Sequence, residues 1–139
     1  MTGTCACGAV SVTLDRSPDF IHDCDCSLCR KTGAAWGYFG TAQVTISGET
    51  IGFQRADKPT PTAVLRSCRT CGTTTHFELS PATRTLHPEL DQVGVNMKLF
   101  APDALTGVEV RFPDGAGWSG EGSFGYRRDA LTIGTAQVW

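Results

Sequence analysis

The stretch Cys24-Asp25-Cys26-Ser27-Leu28-Cys29 places three thiols in six residues and constrains the chain more than any other. Buried free cysteines behave as small hydrophobes, but these sit among Asp23, Asp25, Ser27, Arg30 and Lys31, polar company that a core position would not select. The pattern C-x-C-x-x-C reads as a set of metal ligands. Two pairs, Cys5-Ala6-Cys7 and Cys68-Arg69-Thr70-Cys71, account for the other four of the seven cysteines. An odd number of cysteines does not suit a disulfide framework, and no signal-peptide pattern follows Met1. The expectation is therefore a cytoplasmic protein with reduced thiols. A redox role for the two C-x-x-C spacings would leave the C-x-C spacings unexplained.

Joining the two pairs gives one four-thiolate set, Cys5, Cys7, Cys68 and Cys71, and leaves the triplet Cys24, Cys26 and Cys29 intact. Any other grouping gives five ligands or splits a cluster. Four thiolates around one ion are the usual structural zinc site, whereas three protein ligands leave a position for water or substrate. Iron–sulfur chemistry is the alternative for so soft a donor set. Gly8 and Gly72 follow the two pairs and permit the turn in which backbone N–H groups approach sulfur.

Three segments resemble the glutathione-dependent formaldehyde-activating enzymes, a family that shares its domain with centromere protein V. They are Thr4-Cys5-Ala6-Cys7-Gly8-Ala9-Val10, Cys24 through Ala34, and Cys68-Arg69-Thr70-Cys71-Gly72-Thr73, and the likeness covers about residues 1–110. It implies an Mss4-like fold, a structural zinc on Cys5, Cys7, Cys68 and Cys71, and a catalytic zinc on Cys24, Cys26 and Cys29. It also implies glutathione as co-substrate and a carbon–sulfur lyase-type reaction that joins it to formaldehyde as S-hydroxymethylglutathione. Asp25 departs from the pattern, which often has histidine there.

The rest of the chain reads as a single domain, residues 1–139, of short antiparallel strands with little helix. Val10, Val12 and Leu14 alternate within a strand over residues 8–14. Phe20, His22, Cys24 and Cys26 recur at every second position of a possible second strand, and His22 is a candidate neighbour of the site. Ser27 to Thr32 suits one helical turn with Ser27 as cap and Gly33 as terminator. Strands are expected at 36–39, 43–47, 50–54, 63–67, 73–79, 93–100 and 108–112. Trp36, Tyr38 and Phe39 are read as core packing, and His76 as an exposed or cross-strand residue. Gly115, Gly117 and Gly120 match G-x-G-x-x-G but open no helix, so they read as a flexible loop and not a dinucleotide site.

A formal charge of −2 and scattered Lys and Arg give no footprint for nucleic acid. No apolar run approaches the ~20 residues of a membrane span. Expected partners are a small-molecule thiol and an aldehyde, with Arg30 and Lys31 as candidates for glutathione carboxylates. Two alternatives stand beside the formaldehyde reaction: related carbon–sulfur chemistry on another thiol or aldehyde, and a non-catalytic zinc scaffold for protein binding.

Overall fold

The computed structural model describes residues 1–134 and Trp139. In chain order it contains β1 (Thr2–Thr4), β2 (Ser11–Leu14), β3 (Phe20–His22), α1 (Ser27–Thr32), β4 (Trp36–Phe39), β5 (Val44–Ser47) and β6 (Thr50–Phe53). Then follow β7 (Ala63–Cys68), β8 (Thr74–Leu79), α2 (Pro81–Leu86), β9 (Val93–Asn96), β10 (Glu109–Arg111) and β11 (Leu131–Thr132). Three strands form a small sheet of order β1-β2-β5, and eight form a larger one of order β11-β10-β3-β4-β9-β8-β7-β6. Mainly β structure with short helices is thus the fold class. Pairing is antiparallel except between β10 and β3, which run parallel.

Period-two alternation sorts the larger sheet into two faces. Along β4, Phe39 enters the main core with Val12 and Leu14 of the small sheet, Ile21, Val95 and Phe112. Trp36 belongs to a second cluster with Cys29, Ala34 and Leu65, against which Tyr38 and Phe77 pack. The first face is covered; the second carries the candidate site. Gly94 on β9 lets the Phe77 ring lie on the sheet, because a Cβ at Gly94 would fall 1.9 Å from that ring.

Several strands are shorter than the alternation suggests. β2 starts at Ser11, not residue 8, because Gly8 adopts φ 77° in the turn that carries the first thiol pair. β3 ends at His22, so Cys24 and Cys26 lie in a loop and are not alternate residues of a strand. Cys26, not Ser27, caps α1, its sulfur accepting the Cys29 N–H, while Gly33 ends the helix at φ 65°. β9 stops at Asn96, whose side chain accepts from Lys98 N and turns Met97–Leu99 into a 3₁₀ step. α2 was not anticipated, although Ser80 as cap and Pro81 in the first turn are ordinary helix-start signals.

Candidate functional site

Two similar turns carry the four-thiol set. In the first, Cys5 N donates to Val10 O and Gly8 N to Cys5 O; in the second, Cys68 N donates to Thr73 O and Gly72 N to Cys68 O. Gly8 and Gly72 sit at φ 77° and 75°, a region that side chains with a Cβ avoid. The turns face each other, and all four sulfurs lie within 4.8 Å of one another. Cys5 Sγ and Cys7 Sγ are 3.6 Å apart, Cys7 Sγ and Cys68 Sγ 3.8 Å, and Val10 N donates to Cys5 Sγ at 3.2 Å.

The triplet forms where the loop after β3 enters α1, and its three sulfurs also lie within 4.8 Å of one another. Backbone and side-chain N–H groups surround it: Cys26 N donates to Cys24 Sγ, Cys29 N to Cys26 Sγ, and Trp36 Nε1 to Cys29 Sγ at 3.3 Å. Sulfurs this close cannot all be anionic without a counter-charge. Hydrogen bonds from Cys24 and Cys29 hold the Cys26 thiol down at about 2. The same cluster, Cys24 first and then Cys26, pushes Cys29 far up. Both groups therefore fit a soft cation: the donors are all sulfur, the spacing is that of ligands on one ion, and N–H groups stabilise the charge. No histidine or carboxylate joins either group among the described residues.

A cleft of about 830 Å³ opens over the triplet. All three pack in cores as expected, Phe39 in the main one and Trp36 in the second with Tyr38 against it, but Trp36 and Tyr38 also wall the cleft, which the packing reading left out. Successive ring contacts run from Trp36 to Phe77 (centroids 5.0 Å apart), Tyr38 (6.3 Å), His22 (5.5 Å), Phe124 (6.1 Å) and Trp118 (4.6 Å). Arg30 lines the cleft, and Lys31 does not. His22 also lines it without joining the thiols. Its Nδ1 shares a 3.0 Å hydrogen bond with the Tyr38 hydroxyl, and Nε2 is buried without a partner. Burial, and then the Arg111 charge, lower its pKa, which favours the neutral ring. Burial, and then the negative charge of the thiol triplet, raise the Tyr38 pKa and keep its hydroxyl protonated.

Sequence reasoning missed the roof of this site. Residues 113–127 leave β10 and fold back, Asp114 N donating to Gly125 O and Arg127 N to Phe112 O. Asp25 holds this segment through Ala116 N at 3.0 Å and faces Arg127 Nε at 3.5 Å. Arg127 also donates to Asp23 O, and Trp139 Nε1 donates to the Asp23 carboxylate. The available signal was Gly115. No helix follows its glycine motif among the described residues, and the glycine at 115 marks a close backbone approach to the thiols, not mere flexibility.

A mainly β chain that gathers a four-thiol group and a three-thiol group under a cleft belongs, as a class, with proteins whose thiol clusters could hold metal ions. Residues 1–99 match the family model for the glutathione-dependent formaldehyde-activating enzyme, and the chain belongs to that family. Among solved structures it is similar to a crystal structure of a Rhodobacter sphaeroides protein. That likeness has 29% identity and a TM-score of 0.57, and covers 78% of this chain and 97% of the other. A search of curated proteins found no match.

Proposed function

We propose that this protein is a zinc-dependent carbon–sulfur lyase-type enzyme that joins glutathione and formaldehyde to S-hydroxymethylglutathione in the cytoplasm. One observation carries the reading: the family's thiols separate into a closed group of four and a group of three that lines a cleft. Cys5, Cys7, Cys68 and Cys71 would hold a structural zinc, and Cys24, Cys26 and Cys29 a catalytic one. The latter, when bound, supplies a Lewis acid that lowers a thiol pKa from about 8.5, so that the thiolate exists at neutral pH.

The chain's own groups orient the reaction. Trp36 fixes Cys29 by its indole N–H and closes one side of the cleft to water. Arg30 receives a glutathione carboxylate, and Lys31 adds positive charge beside it. The glutathione sulfur adds to the aldehyde carbon; a C–S bond forms, the C=O π bond breaks, and the oxygen takes a proton. His22 and Tyr38, hydrogen-bonded to each other, offer polar atoms in an otherwise aromatic wall.

Replacing zinc by cobalt(II) tests this. Glutathione should change the visible spectrum of the triplet site and leave the four-cysteine site silent, and S-methylglutathione, which lacks the thiol, should change neither. Cys26→Ser should abolish the response. A spectrum that ignores saturating glutathione, with cobalt shown to occupy the triplet, would overturn the proposal in favour of a zinc scaffold.

A further inference from the structure

The cleft is built for more than a one-carbon aldehyde. Formaldehyde adds a single hydroxymethyl group to sulfur, and glutathione is a polar tripeptide; neither needs an aromatic wall. Yet rings run without a break from Trp36 beside Cys29 to Trp118 at the mouth. Phe124 and Trp118 remain 38% and 37% exposed, leaving apolar ring surface that a ligand would desolvate.

The outer rings are positioned, not merely nearby. Both lie on the 113–127 segment, which Ala116 and Arg127 tie to Asp25, between two thiols of the triplet. Gly115 brings the same segment against Cys24. These two outer rings lie beyond the residues 1–99 that match the family model, so the shared part of the fold does not supply them.

Charge points the same way. No Asp or Glu lines the cleft among the described residues, whereas Arg30, Arg55 and Lys58 do. Asp57 holds Arg55 at 2.6 Å and also feels the Lys58 charge, but no carboxylate comes within ion-pair distance of Arg30 or Lys58 among the described residues. The lining therefore suits a ligand with an aromatic body and an anionic end.

We infer that the same site also joins an anionic thiol to an aromatic aldehyde, the product hemithioacetal placing its aryl group among Phe77, Phe124 and Trp118 and its carboxylate towards Arg30 and Lys58. This rests on the thiol–aldehyde reading above and widens the range of its aldehyde. The thiol sulfur bonds to the aryl aldehyde carbon, the carbonyl π electrons pass to oxygen, and that oxygen takes the proton lost by the thiol. Nothing is oxidised or reduced.

Stable thioethers test the cleft separately from thiol ligation. The zinc-loaded protein is titrated calorimetrically with S-benzylglutathione and S-methylglutathione, and with the S-benzyl and S-methyl derivatives of 3-mercaptopropionate. In at least one pair the benzyl compound should bind more than about tenfold tighter, from the apolar area its ring buries. Trp118→Ala and Phe124→Ala should each shrink that ratio, whereas Arg30→Gln with Lys58→Gln should weaken both members of the pair alike. Trp118→Phe should restore most of the preference. Equal binding of benzyl and methyl compounds in both pairs overturns the inference, as does a preference that survives both alanine variants. The cobalt spectrum keeps the two readings apart: a response to free glutathione without a benzyl preference overturns only the aromatic substrate, and silence there removes the thiol–aldehyde reading itself.

Discussion

Gly115 is a single hydrogen where any other residue has a carbon. A Cβ there would fall 2.3 Å from Cys24 Sγ and 3.0 Å from Cys26 Cβ, well inside contact distance. Gly115→Ala must therefore move the roof or the thiol. Ligand spacing tolerates little displacement, so the triplet should lose its metal on dialysis while the four-cysteine site keeps its own. Elemental analysis should fall from two equivalents of zinc towards about one. Gly125→Ala, in the same segment with nothing within 4 Å of the added carbon, should retain both. If the two variants hold equal metal, the close approach at Gly115 does not matter to the site.

At the scale of elements, β8 carries one side chain on each face whose environment decides its chemistry. Phe77 faces the cleft, and His76 is 2% exposed, which corrects the expectation of exposure though it does lie cross-strand, opposite Arg66 and Val95. Its Nδ1 bonds the Thr75 hydroxyl, and Glu78 lies 3.7 Å from Nε2. Burial lowers its pKa, Glu78 opposes that and the Arg66 charge adds to it, so that it comes to about 4. With a folded pKa below the unfolded value of about 6.5, the unfolded chain binds the proton first. Stability should then fall as pH drops from about 6.5 to 4, by on the order of 1 kcal/mol per pH unit, and His76→Gln should remove that slope. Urea midpoints at pH 7, 6 and 5 measure it. Acid also protonates metal-binding thiolates in both proteins, so the difference between variant and parent is the quantity that counts. Parallel curves would mean that His76 titrates alike in the folded and the unfolded chain. Elements with local causes were legible in the sequence: β4 from its aromatic run, the end of α1 from Gly33, both thiol turns from Gly8 and Gly72. Those decided at a distance were not. The cap of α1 is a sulfur held by its site, β3 stops where a ligand loop begins, and the roof depends on Asp25 meeting residues about ninety positions on.

Across the whole molecule the two thiol groups hold different things together. Cys5 and Cys7 leave β1 of the small sheet, and Cys68 and Cys71 lie at the β7–β8 turn of the larger one, so the four-thiol group joins the two sheets. The triplet secures only the loop after β3, α1 and the 113–127 roof. The grouping could be deduced from cysteine spacing, but its mechanical meaning could not, because nothing local in the sequence says that β1 and β7 belong to different sheets. Structural zinc contributes on the order of 10–16 kcal/mol to small zinc domains, comparable with the ~5–15 kcal/mol by which a whole domain is stable. Cys68→Ser should therefore lower the melting temperature far more than Cys26→Ser. Cys68 is also 1% exposed, so serine leaves a buried hydroxyl in place of the thiol that would hold the metal. Cys26 lies in a cleft that water reaches, and its loss should cost chiefly metal and thiol binding while both sheets stay folded. Thermal melts read beside zinc content decide between these outcomes. Equal destabilisation would make the triplet a second clamp on the fold; a greater loss from Cys26→Ser would reverse the structural and catalytic assignments.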